Sequence, residues 1–173
     1  MPAKALVIVD MLNDFIDPRG ALYCGTDGQA VVPVIGEWLD RARREGDLVL
    51  YLQDSHPEDD REFERFPPHC ITGTWGGRIV DQLAPLDGET VIPKQRYSGF
   101  YGTDLETILA GAEIATATVV GVCTSICVMD TVGGLANRDY KTVVPAAGVA
   151  DFDPEMHRMA LRRMKALYGA DII

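Results

Sequence analysis

The chain has 173 residues, 47% of them hydrophobic and 24% charged, and a formal net charge of −10. This is the length and balance of one globular domain, spanning 1–173, with a substantial core. The acidic balance and the lack of any basic run exclude nucleic acid as a partner. No stretch approaches the roughly 20 apolar residues of a membrane span, and the N-terminus lacks the apolar core of a signal peptide, so no membrane partner and a cytoplasmic location are expected.

In chain order, Ala5 to Val9 is a continuous apolar run, as in a strand covered on both faces. Helical spacing at Val31, Ile35, Trp38 and Leu39 predicts a helix over 30–44, closed by Gly46. Asp47 to Gln53 follows as a strand. Residues 55–77, rich in proline, glycine and charge, read as a long loop, unusual enough to suggest function. A short helix is expected over 79–86 and a strand over 90–94. Thr103 and Glu106 have capping-box spacing for a helix to about Ala110. Then come a strand over 116–122, a helix over about 125–137, a strand over 142–146, and a helix over 154–168 capped by Asp153 with Pro154 at its first position. Residues 170–173 are expected to close the sheet.

This alternation predicts an α/β, three-layer, Rossmann-like fold: a mostly parallel central sheet with helices on both faces. Right-handed crossovers place the C-terminal ends of the strands on one edge, where ligands of open α/β sheets bind. Asp10 ends the first strand, Asp54 follows the second, Lys94 ends the third, and Cys127 lies just beyond the fourth. Distant parts of the sequence therefore deliver reactive groups to one place.

Cys127 falls where an apolar strand gives way to a helix. A thiol there faces the positive end of the helix dipole, which favours the attacking thiolate, and the same turn offers N–H donors for an oxyanion. Asp10 can take the thiol proton, and Lys94 can steady both charges. Singly these residues have ordinary explanations: a strand-end turn, a solvated lysine, an inert buried thiol. Without an export signal, Cys24, Cys70, Cys123 and Cys127 are expected to be reduced.

The long loop opens with Asp54-Ser55-His56 and later carries His69. Asp54 and His56, two residues apart in extended chain, project to one side. With His69 they form a nitrogen and oxygen donor set that leaves coordination positions open, acceptable to zinc, manganese or iron. The acids Glu58, Asp59, Asp60, Glu62 and Glu64 read as solvated charge or as a source of one further ligand. His157, among arginines on the last helix, reads as a surface residue. Gly133-Gly134 reads either as a loosened helix or as a close-packing site between copies.

These pieces, Val7 to Phe15, Asp54-Ser55-His56, Phe66 to Thr74, Lys94, Tyr97 to Phe100 and Gly121 to Val128, span nearly the whole chain in a fixed order. Together they resemble the isochorismatase-like cysteine hydrolases, and within them the nicotinamidase/pyrazinamidase group. The resemblance implies Cys127 as nucleophile, Asp10 as proton shuttle and Lys94 as third member of a triad. It implies an oxyanion hole from the N–H groups of Cys123 and Cys127, and a cis bond between Val122 and Cys123. Asp54, His56 and His69 match the ligands of a divalent metal, zinc first, manganese or iron as alternatives, with Glu62 as a further ligand. Phe15 and Phe66 match aromatic walls around a substrate ring, with Tyr97 near them; Phe66 stands where many nicotinamidases carry tryptophan. The implied partners are a small-molecule amide and further copies of the chain, as a homo-dimer or tetramer.

The expected reaction is hydrolysis of nicotinamide or a similar amide to the acid and ammonia through a thioester. The alternatives are a family amidase for another small amide, an enol-ether hydrolase of the isochorismatase type, a non-hydrolytic thiol or metal protein using Cys123 and Cys127, and an iron oxygenase using the Asp54, His56, His69 set.

Overall fold

The computed structural model describes residues 3–173. Its centre is a seven-stranded sheet: β1 (Ala3–Val9), β2 (Leu48–Asp54), β3 (Thr90–Lys94), β4 (Ile114–Val122), β5 (Lys141–Val144), β6 (Val149–Ala150) and β7 (Asp171–Ile172). The order is β3-β2-β1-β4-β5-β7, with β6 beside β4, and every pairing is parallel. The chain winds outward from β1 to β3 and then returns to place β4 on the other side of β1. The ends of β1 and β4 thus flank the point where the winding reverses, the favoured ligand crevice of such sheets.

Side chains alternate between two cores, as a strand period of two requires. Leu6, Ile8, Val49, Tyr51, Val120 and Val122 pack under α2 (Gly25–Glu45), against Val31, Ile35 and Leu39. Ala5, Val7, Val9, Leu50, Leu52 and Val119 point the other way. They meet Leu105 and Leu109 of α3 (Leu105–Gly111), Val132 and Leu135 of α4 (Met129–Ala136), and Met164 of α5 (Pro154–Tyr168). This is the expected three-layer α/β architecture; a four-residue helix α1 (Asn13–Ile16) precedes α2 in the chain, and the helix labels follow chain order. No helix among the described residues is long and apolar enough to cross a membrane.

Several local expectations shift. Helix α2 starts at Gly25, five residues before the expected start at residue 30; the sequence hides this because Gly-Thr-Asp-Gly over 25–28 has the composition of a turn. The helix expected over 79–86 is a single 3-10 turn, Asp81–Leu83. Thr103 does not form a capping box: Asp104 is the N-cap residue, while the Thr103 hydroxyl accepts from Leu105 N–H at 3.3 Å. The helix expected over 125–137 is split into a π-turn, Thr124–Val128, and α4. The glycine pair packs within the chain: Gly133 lies against Tyr168 and Gly134 against the Phe100 ring.

Candidate active site and metal centre

Two backbone features bring the sheet edge together. Gly121 has φ +121°, and a side chain there would run into the Val9 backbone, so only glycine lets β4 approach β1 this closely. Asp10, the next residue after β1, is left-handed at φ 50°. Its N–H donates to Leu52 O at 3.0 Å, and its Oδ1 accepts from Asp54 N–H at 2.9 Å. Asp10 is therefore tied to the end of β2 through both its backbone and its side chain.

Lys94 reaches the same point from the end of β3, where it is paired in register with Asp54. Its Nζ lies 2.8 Å from Asp10 Oδ2 and 3.6 Å from Cys127 Sγ, and it also donates to Asp54 Oδ1 and, at 3.2 Å, to Arg96 O. One ammonium thus serves two buried carboxylates, which resolves the opposite behaviour of the acids. Burial opposes the charge on both, but Lys94, with help from His56, carries Asp54 below its ordinary range. Asp10 is pushed up to about 6 by burial and then by the charge of Asp54, with Lys94 pulling against them. Lys94 is held charged: burial opposes this, and Asp10 and Asp54 outweigh it.

Cys127 is buried in the π-turn that follows β4 and the cis peptide Val122–Cys123. The Cys123 carbonyl accepts from Ile126 N–H at 3.1 Å and Val128 N–H at 3.2 Å, passing over the intervening Cys127 amide. Burial pushes the Cys127 thiol well above its ordinary value; Lys94 pulls it back, and Asp10 and Asp54 add to the rise. The thiol lies 3.6 Å from the Lys94 ammonium, with the Asp10 carboxylate beside both. The reactive atoms of Asp10, Asp54 and Cys127 all lie within 4.8 Å of one another.

Next to this group, donor atoms of Asp54, His56 and His69 also lie within 4.8 Å of one another. His69 Nδ1 donates to Pro67 O at 2.8 Å, which fixes its proton and leaves the Nε2 lone pair facing inward. His56 Nδ1 is engaged in the same way by Asp60 Oδ2 at 3.0 Å, and Arg96 holds both Asp60 oxygens at 3.1 Å. Asp54 Oδ2, the oxygen not used by Lys94, lies 3.6 Å from His56 Nε2 and 3.9 Å from His69 Nε2. Glu62 Oε1 is 3.9 Å from His69 Nε2, so the structure brings this acid to the cluster too. His56 Nε2 and Glu62 Oε2 are buried with no hydrogen-bond partner among the described residues. Two inward nitrogen lone pairs, a carboxylate oxygen and buried unpartnered atoms suit a divalent cation, so the residues present fit one.

Phe15, Phe66 and Tyr97 all line a slot that opens onto Asp54, His69 and Cys127, with Leu22, Glu62, Cys123, Ile126 and Phe152 completing the wall. The Phe15 and Phe66 rings stand 5.7 and 6.2 Å from that of His69. The slot is narrow and mostly apolar.

Asp10, Lys94, Cys127, Asp54, His56, His69, Glu62, Cys123, Phe15, Phe66 and Tyr97 are thus all found at this edge, and Asp60, Phe63, Asp151 and His157 attach to it. Asp60 holds the His56 ring, yet in sequence it looks like its acidic neighbours. Phe63 packs on both histidines, at 5.6 Å from each. Asp151 Oδ2 accepts from Ser125 N–H at 2.6 Å, and His157 Nδ1 bonds the Thr124 hydroxyl at 2.9 Å. Together they hold the turn that carries Cys127 from behind. His157 is therefore half-buried and engaged, which corrects the expectation of a surface residue; no local pattern links it to Thr124 across 33 positions.

A family model described as "Isochorismatase domain" matches residues 4–173. The crystal structure of nicotinamidase/pyrazinamidase PncA from Bacillus subtilis superposes with a TM-score of 0.94 at 36% identity, covering 98% of both chains. That of the pyrazinamidase of Pyrococcus horikoshii in complex with zinc gives 0.93 at 31% identity, covering 99% of both. The ureidoacrylate amidohydrolase RutB of Methylorubrum extorquens is 30% identical over 96% of this chain and 78% of its own length. With the fold, the sheet-edge cluster and a full-length family match in agreement, the chain belongs to the isochorismatase family.

Proposed function

We propose that the protein is a metal-assisted cysteine amidohydrolase that converts nicotinamide, or a similar planar amide, to the acid and ammonia. The observation that carries this reading is Lys94 Nζ, 2.8 Å from Asp10 and 3.6 Å from Cys127, beside a slot walled by Phe15 and Phe66. Likeness to a structure named as a nicotinamidase/pyrazinamidase supports the substrate class.

The rings of Phe15, Phe66 and Tyr97 flank the substrate and set its amide carbon against Cys127 Sγ. As sulfur attacks, the thiol proton passes to Asp10, so no free buried thiolate has to form first. Lys94 keeps Asp10 in place and offsets the charge moving between carboxylate and sulfur. The carbonyl oxygen turns anionic facing the N–H groups of Cys123 and Cys127. Asp10 returns the proton to the amide nitrogen, ammonia leaves, and an acyl group remains on Cys127. Water then enters, gives a proton to Asp10 and attacks the thioester, releasing the acid and restoring the thiol. Asp54, His56, His69 and Glu62 would hold the divalent ion, which when bound supplies a positive centre for a ring nitrogen and polarises water.

A second reading, a small ureido amide as substrate, is favoured by the relative named for ureidoacrylate. Ammonia release from nicotinamide, pyrazinamide and ureidoacrylate by purified protein, with and without chelator, separates the two. Nicotinamide is expected to give the highest kcat/KM; release from ureidoacrylate alone overturns the substrate, and full activity of Cys127→Ala overturns the chemistry.

A further inference from the structure

Two thiols that the reaction does not consume touch each other beside the slot. Cys24, the N-cap residue of α2, and Cys123, the first residue after β4, are 99 positions apart, and their Sγ atoms are separated by 3.4 Å. Both are buried. Cys123 lines the slot, whereas Cys24 does not, so the slot delivers a small solute to Cys123 first, with Cys24 next to it. Sulfur atoms in contact need to close only about 1.4 Å to reach the roughly 2.0 Å of a disulfide bond.

We propose that Cys24 and Cys123 are a site of reversible oxidative modification, joined as a disulfide by a peroxide. In the first step Cys123 attacks one peroxide oxygen, giving a sulfenic acid and water. In the second, the Cys24 sulfur displaces the sulfenic oxygen as a second water while the S–S bond forms. Overall, two thiols and one hydrogen peroxide give one disulfide and two waters, the two electrons passing from sulfur to peroxide. The pair is a slow target, because contact with Cys24 and burial both hold the Cys123 thiol well above its ordinary value. It is therefore silent in a reducing compartment and responds to sustained peroxide.

Bond formation draws Cys123 towards α2 and away from the substrate carbonyl that its N–H is proposed to meet. Loss of one such donor lowers turnover by about a hundredfold or more, so the oxidised protein is expected to be inactive and to recover with a thiol reductant. Only this activity arm rests on the amidohydrolase reading; the bond itself does not.

The test is intact mass and peptide mapping of the whole protein after hydrogen peroxide and alkylation under denaturing conditions, beside Cys24→Ser treated in the same way. Expected are a loss of two mass units before alkylation, two alkylated thiols in place of four after it, a linked peptide pair containing residues 24 and 123, and reversal by dithiothreitol. Cys24→Ser is expected to remain uncrosslinked and to retain at least about ten times more activity after peroxide than the parent. Four alkylated thiols in the treated parent would overturn the proposal, as would a link from Cys123 to Cys127 or oxygen addition at Cys127 alone. A 24–123 link with no measurable hydrolysis of any amide before oxidation would uphold the modification and count against the proposed function instead.

Discussion

Lys94 Nζ and Asp10 Oδ2 stand 2.8 Å apart with both side chains fully withdrawn from solvent, and Asp54 takes a further bond from the same ammonium. Removing this cation leaves buried Asp10 uncompensated and Asp54 with only His56. Lys94→Met is therefore expected to cost about 3–5 kcal/mol of folding stability as well as turnover. Asp10→Asn/Lys94→Met should regain part of that stability without regaining activity. Urea denaturation of the parent and both variants measures this; unchanged stability of Lys94→Met would contradict the ion-pair account.

The acid limb of the proposed reaction follows from Asp10. In that proposal its ionised form accepts the thiol proton, and that form is depleted as the pH falls through about 6. Below that point kcat/KM should fall about tenfold for each pH unit. Asp10→Asn should lower the whole profile rather than move it. A flat profile between about pH 5 and 8 would remove Asp10 from the role of proton acceptor.

Asp60 touches His56 but not the slot, and Arg96 clamps it from behind. Asp60→Asn should weaken zinc binding by about 10–100-fold while leaving the fold intact, as loss of a carboxylate behind a ligating histidine does elsewhere. Competition with a chromophoric chelator reads this directly, without reference to turnover.

His157 bonds the Thr124 hydroxyl on the far side of the nucleophile turn. His157→Ala is expected to lower kcat by about tenfold or more through misplacement of Cys127, with KM and bound metal unchanged. Equal loss of metal and activity would mean a general structural defect instead.

Gly121→Ala should be the most damaging single methyl in the chain. The φ of +121° disfavours any side chain, and the added carbon would meet the Val9 backbone rather than a movable side chain. A loss of at least about 3 kcal/mol is expected, seen as poor soluble yield or a sharply lowered Tm.

The strand-end logic was readable from sequence because it needs only a short apolar run and the residue that follows it. Val9 then Asp10, and Val122 then the turn to Cys127, satisfy that rule, and parallel topology does the rest. The pieces that were not readable depend on partners chosen in space. Asp60 became distinct from Glu58 or Asp59 only when the loop folded back, with His56 N–H on Cys70 O at 3.1 Å and Thr72 N–H on His56 O at 3.0 Å. Asp151 and His157 approach the nucleophile turn from the far end of the chain. The burial of Cys127 depends on how much water the finished fold excludes, a quantity that no local pattern carries.

The reactive groups and the rings around them come from different kinds of place. Asp10, Asp54 and Lys94 sit at or directly after strand ends that the sheet locks in register, whereas Phe66 comes from the long loop and Phe152, 39% exposed, stands at the mouth. Mutational drift at the mouth therefore leaves the bond-breaking apparatus undisturbed. A lineage built on this plan can exchange one metabolite for another by recutting a few loop side chains, while its chemistry is inherited unchanged.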